Sequence, residues 1–372
     1  MKGQWIGRFT GPNTGVIIIN VDDRDDYYEG VAYIFVNKSK PIRYARFRTE
    51  DKNRIFKLNK LRVDTVARDT GYIEFWEDAK KKYGEDIVFP SYVDVEGDYN
   101  EERLRIKWRT ENGVESSCEL PKSKSDKASE LIPLPVDSWS TYKGYVATLK
   151  ARRFIFRGQD KPDRLRTKFH RTGRANLERF LTEDRMTLYR HLSARTHHIF
   201  NLEKADENGA FFNLVQHHGY PTPLLDWTYS PYVAAFFAYR EITNLQALEA
   251  PDTKKVRILI FDKHQWETDI EKSVMLTVPY LHVSIMEFIA INNERMIPQQ
   301  AVSTVTNADD IEGYIKYTET KQKKEYLSVI DLPVRDRKLI MHDLSSMGIT
   351  AGSLFPGLDG ACEELKERFF DI

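Results

Sequence analysis

Between residues 103 and 120 the chain reads RLRIKWRTENGVESSCEL, and no other stretch narrows the fold of the first third as strongly. Leu104, Ile106 and Trp108 alternate with Arg103, Arg105, Lys107 and Arg109. A period of two puts one set on each face of a strand. Asn112-Gly113 supplies the turn, because both residues tolerate positive φ. The stretch is therefore expected to be an antiparallel hairpin with one apolar and one polar face. Three earlier runs, at 15–21, 27–36 and 42–48, are also β-branched and aromatic. One short helix is expected among the strands, over Phe75 to Asp86. Residues 1–120 thus read as an all-β sandwich or small barrel.

PKSKSDKASELIPLP follows, polar and bounded by prolines, and reads as a linker over 121–138. From there the character changes. FIFRG (154–158), KVRILIFD (255–262) and EYLSVIDLP (325–333) read as strands. Helical spacing marks FFNLVQHHG (211–219), with Gly219 just past the helix end, and RDRKLIMHDLSSMG (335–348). Residues 139–372 are expected to form an α+β domain. Two or three domains suit a chain of 372 residues.

Bulk numbers exclude several classes. With 41% hydrophobic residues a packed core is within reach, and 56 basic residues against 56 acidic ones argue against an overall basic nucleic-acid binder. Only Cys118 and Cys362 occur, so neither a disulfide framework nor a cysteine metal knuckle is expected. No run reaches the roughly 18–20 apolar residues of a membrane span, nor does the N-terminus read as a signal peptide. A cytoplasmic setting without membrane contact is the expectation. No HxxxH pair supports a metal site, and no Gly-rich phosphate loop or nucleophile elbow is visible.

Chemistry concentrates in QHHGYPTPLLDWTYSPYVAAFFAY, residues 216–239. Ser230-Pro231 is an N-cap followed by proline at the first helical position, so a helix is expected to begin at Pro231. Ala234, Ala235 and Ala238 give that helix a face fit for close packing. Thr228 and Ser230 then stand at its positive end, where free N–H groups attract anions. Asp226 is expected to hydrogen-bond the turn backbone. His217 and His218 are adjacent, and helical geometry aims them about 100° apart. Arg157-Gly158 closes an apolar strand. A guanidinium there offers a fixed fork of donors, and glycine lets backbone approach a ligand, or the arginine simply pairs with a carboxylate. INNERMIPQQAVST (291–304) presents Glu294, Arg295, Gln299 and Gln300 around Pro298. From 151 to 195 there are 11 Arg and 2 Lys against 5 acids. That surplus suits nucleic-acid phosphates or the solvated side of amphipathic helices.

FRGQ (156–159), the 216–238 stretch, RMIPQQ (295–300) and LFPGLDG (354–360) together resemble the successive motifs of the FRG domain family, over the chain from about residue 141. The family's Gln-Gln-Gly reads Gln299-Gln300-Ala301 here, without the glycine of a tight turn. Their order also resembles that of arginine-serine-glutamate ADP-ribosyltransferases. The resemblance implies NAD as substrate, with Arg157, Gly158, His218, Asp226, Thr228 and Ser230 around it. It implies catalytic roles for Arg157 and Ser230, and for Gln299 or Glu294 at the position where a carboxylate would stabilise charge developing on the ribose. A toxin or defence effector fits that implication, acting on a nucleic-acid or protein acceptor, with the β domain receiving a regulator. Two further readings stay open: a non-catalytic module recognising a nucleotide or phosphate, and a nuclease using His217 or His218.

Overall fold

The structure, a computed structural model, describes residues 1–37, 40–84, 89–273 and 275–370. Ten strands come first: β1 (Gly3–Thr10), β2 (Gly15–Asp23), β3 (Tyr28–Phe35), β4 (Ile42–Arg48), β5 (Ile55–Arg62), β6 (Asp64–Val66), β7 (Ile73–Glu74), β8 (Tyr92–Tyr99), β9 (Arg103–Thr110) and β10 (Glu115–Pro121). They form one antiparallel sheet in the order β5-β8-β9-β10-β1-β2-β3-β4-β6-β7. The sheet coils around a single core of Trp5, Phe9, Ile17, Ile19, Phe47, Phe56, Val95, Leu104 and Leu120. Each such large side chain contributes about 1.5–3 kcal/mol on burial. The first part is all-β as the sequence reads, but the sheet does not close: β5 and β7 are its two ends.

The β9–β10 hairpin pairs Trp108 with Ser116 and Arg109 with Glu115. Its turn departs from the expected geometry. Only Gly113 takes positive φ, at 79°, and Thr110 N donates to Val114 O at 2.9 Å. The loop therefore has three residues with glycine in the left-handed position. The expected helix after Phe75 runs over Trp76–Tyr83, while Glu85 and Asp86 lie outside the described residues.

Six strands build the second sheet: β11 (Phe154–Gln159), β12 (Leu224–Thr228), β13 (Lys255–Asp262), β14 (Val283–Met286), β15 (Ala301–Thr306) and β16 (Leu327–Pro333). Their order is β14-β15-β12-β11-β13-β16, all antiparallel. On one face the helices Trp139–Ala147, Pro231–Tyr239 and Arg337–Ser346 share a core with Phe156, Ile258 and Ile330. On the other, Trp266 and Ile311, from the Lys263–Asp269 and Ile311–Gln322 helices, pack with Trp227 and Phe261. This half is α+β, with helices on both faces of an antiparallel sheet. Of residues 121–138, Pro121 and Lys122 still pair within the first sheet, whereas Leu131 is buried in the second and Leu134 N donates to Val329 O at 2.8 Å.

The two sheets meet through the outer face of β2–β4. Ile18, Val31, Tyr33 and Tyr44, alternating with the core-facing residues, pack toward Leu281. Asp22 pins the joint. Its carboxylate, with no exposed surface, accepts from Ala175 N (2.8 Å), Asn176 N (3.0 Å), Arg174 Nε (2.9 Å) and Arg179 Nη1 (3.0 Å). Such a fully engaged carboxylate replaces the water it loses on burial.

Candidate functional site

Arg157 sits where β11 and β12 part. The two strands are in register at one pair only, Phe156 with Thr228. Beyond it, Arg157 reaches across the split, donating from Nη1 to Asp226 O at 2.6 Å and from Nε to Gln159 Oε1 at 3.4 Å. Among the described residues no carboxylate comes within ion-pair distance of its guanidinium. Burial pulls the Arg157 guanidinium down to about 10; the Asp226 carboxylate pushes it up and the Arg171 guanidinium pushes it further down. A half-buried cation with a second cation acting on it and no carboxylate in ion-pair distance favours an anion. Arg171, which sequence motifs do not single out, closes the Lys168–Arg171 helix; its place beside Arg157 is a product of folding.

Gly158 approaches protein backbone closely. A Cβ built there would lie 1.9 Å from Ala234 O and 2.6 Å from Ala238 N. Strand β11 therefore rests directly on the small face of the Pro231–Tyr239 helix. Ser230 caps that helix as expected, its hydroxyl accepting from Val233 N at 3.2 Å, with Pro231 next. Thr228 Oγ1 accepts from Ser230 N at 3.0 Å and donates to Gln299 O at 2.7 Å. Both hydroxyls are thus committed to holding the backbone together at the helix start.

Asp226 differs from its expected role. It lies within β12, and its Oδ1 accepts from Gln216 Nε2 at 2.5 Å, not from turn backbone. Gln216 in turn accepts from the Thr222 hydroxyl. Across β15, Asp226 faces Ser303, whose hydroxyl accepts from Asn213 Nδ2 at 3.3 Å. Asn213 Oδ1 accepts from Asn293 Nδ2 at 2.7 Å, and Asn293 Oδ1 meets His217 Nδ1 at 2.9 Å. A buried polar seam thus joins the Ala205–His217 helix to the sheet beside Arg157. His217 belongs to this seam, whereas His218 is exposed at the helix C-cap.

The third motif arrives beside the first two. Gln299 ends the turn before β15, and its buried amide donates to Leu354 O at 3.0 Å. Gln300 itself takes the left-handed conformation, φ 47°, so the turn forms one residue before the position where the family has glycine. Tyr229 N donates to Gln300 O at 3.1 Å. Glu294 is exposed. Of the Arg-rich stretch, Arg153, Arg164, Arg166, Arg174 and Arg179 pair with Asp262, Asp310, Asp309, Asp22 and Glu183 among others, so much of that charge is spent inside the fold. Among the described residues no helix is long and apolar enough to cross a membrane.

An antiparallel sheet flanked by helices, with a strand-borne Arg-Gly seated on a small-residue helix, defines the architecture. Residues 152–246 match the family model of the FRG domain. The match runs from the start of β11 past the Pro231–Tyr239 helix and ends before Gln299 and the 354–360 motif. No curated protein and no solved structure matches the chain.

Proposed function

We propose that the FRG half is an NAD-dependent ADP-ribosyltransferase whose substrate diphosphate rests on Arg157 and Arg171. The observation that carries this reading is the half-buried Arg157 guanidinium, which pairs with no carboxylate among the described residues and feels the charge of a second arginine, Arg171. A diphosphate would supply the missing negative charge through charge-assisted hydrogen bonds. NAD, when bound, supplies the glycosidic bond that is broken. Asp226 takes the carboxylate role in place of Gln299: Gln216 holds one oxygen, leaving the other to stabilise positive charge that develops on the ribose. Thr228, Ser230 and Gln299 act as scaffold, since their polar groups hold one another and Leu354. The acceptor in this reading is a nucleic acid or protein, with a regulator on the N-terminal sheet.

A specific observation favours a second reading, that of a non-catalytic nucleotide or phosphate sensor. The amide at the third motif is neutral and already bonded to Leu354 O. Calorimetry with NAD and ADP-ribose, alongside transfer of labelled NAD to cell extract, separates the two. For the transferase, Arg157→Ala abolishes binding and transfer, and Asp226→Asn keeps binding but lowers transfer at least tenfold. Binding without transfer or nicotinamide release by the unaltered protein leaves the sensor. Absence of binding by the folded protein would end both readings.

A further inference from the structure

The coiled sheet holds a cavity of about 70 Å³ on its concave side. Ile17 and Ile19 of β2, Ala32 and Ile34 of β3, Phe56 and Leu58 of β5 and Ile106 and Trp108 of β9 are among its walls. Of its lining residues, Arg43, Trp108 and Thr110 carry a polar side-chain group. The Thr110 hydroxyl accepts from Val114 N at 3.1 Å. Walls this largely apolar house water poorly, since a buried water needs two to four polar partners. At about 10–15 Å³ for each atom-sized sphere, the space admits about five or six heavy atoms.

Arg43 is the anomaly. Its guanidinium is half-buried, stands 5.4 Å from the Phe89 ring centroid, and forms no ion pair among the described residues. Burial alone pulls it below the ordinary arginine range. Leu61, Val63, Pro90 and Val93 also line the cavity. Here β4 and β5 are neighbours without a ladder between them, since each end of the sheet order runs elsewhere. A desolvated guanidinium at an apolar cavity is costly without an anion beside it.

We propose that this cavity binds the tail of a short aliphatic carboxylate, about five tail carbons lying between β2, β3, β5 and β9 and the carboxylate group beyond them paired with the half-buried Arg43. Carboxylate geometry suits the two-pronged donor set of a guanidinium. The ligand lies against the inner faces of β2, β3 and β4, the strands whose outer faces carry Ile18, Val31, Tyr33 and Tyr44 at the joint with the FRG half.

Isothermal titration of the full chain with hexanoate, hexan-1-ol and hexylammonium tests this. Hexanoate is expected to bind one-to-one, hexanol at least tenfold more weakly, and hexylammonium not measurably. Arg43→Met should weaken hexanoate at least tenfold while melting no lower than the unaltered protein, because it removes an unpaired desolvated charge. Arg43→Lys should keep much of the affinity, and Ala32→Leu, which fills the cavity, should abolish it. The proposal is overturned if the unaltered protein does not bind hexanoate, if hexanol or hexylammonium binds as tightly, or if Arg43→Met or Ala32→Leu leaves binding unchanged.

Discussion

Replacing Gly158 by alanine tests whether the glycine of the Arg-Gly motif serves packing or ligand approach. An added Cβ would lie 1.9 Å from Ala234 O, whereas ordinary contact begins near 3.4 Å. The deficit of about 1.5 Å falls on backbone, which no side-chain rotation can relieve. To yield, the Pro231–Tyr239 helix would have to lift from β11, uncovering Ala234, Phe236, Ala238 and Tyr239, all at 0–1% exposure. Inserting one methyl into a tight core commonly costs about 1–3 kcal/mol, and a backbone clash stands at or beyond the upper end. We therefore expect Gly158→Ala to destabilise by at least about 3 kcal/mol in urea unfolding without any ligand. Gly144 is the control. It lies inside the Trp139–Ala147 helix with nothing within 4 Å of a built Cβ, so Gly144→Ala should stabilise by about 0.5–1 kcal/mol. A Gly158→Ala protein as stable as the parent but weakened in nucleotide binding would refute the packing argument and return the glycine to a ligand role.

Other consequences follow from the same geometry. Asp22→Ala removes the acceptor of four hydrogen bonds and leaves Ala175 N and Asn176 N without it, while Arg174 and Arg179 keep Asp184 and Glu183; a loss of about 2–4 kcal/mol is expected in denaturant unfolding, and a loss under 1 would contradict the pinning role. Burial pulls His170 and His282 from 6.5 to about 4, so the folded state resists protonation that the unfolded chain accepts. Their contribution is complete above pH 6.5 and lost as pH falls toward about 4, by about 3 kcal/mol for each. Urea melts between pH 7.5 and 4.5 should show that slope, and His170→Gln should flatten it by about half. Gln300→Gly relieves a left-handed residue, so a gain of about 0.5–1 kcal/mol by thermal unfolding is expected; a loss would mean the Gln300 side chain contributes more than the strain costs.

Elements set by local pattern were legible without the fold. KVRILIFD forms β13 over its whole length, the β9 alternation sorts Leu104 and Ile106 into the core, and Ser230-Pro231 starts its helix where capping chemistry demands. The FRG resemblance on Arg157-Gly158 and the 216–238 stretch agrees with the family-model match over 152–246. These features depend on neighbours within a few residues, so a linear reading reaches them. What a linear reading cannot reach is which polar groups meet. The Asp226 carboxylate turns to Gln216, ten residues away but on another element, and Arg157 finds Asp226 O only because β11 and β12 diverge after one pair. Arg171 acts on Arg157 by its charge, and Asp22 collects Arg174 and Arg179 from more than 150 residues along the chain, through tertiary packing alone. The sequence by itself determined the all-β and α+β halves and the capped small-residue helix, because periodicity and capping are short-range. Only the tertiary structure decided that Gly158 serves helix packing, that Gln299 is tied to Leu354 and that Arg157 and Arg43 meet no carboxylate among the described residues, because each depends on contacts between segments distant in the chain.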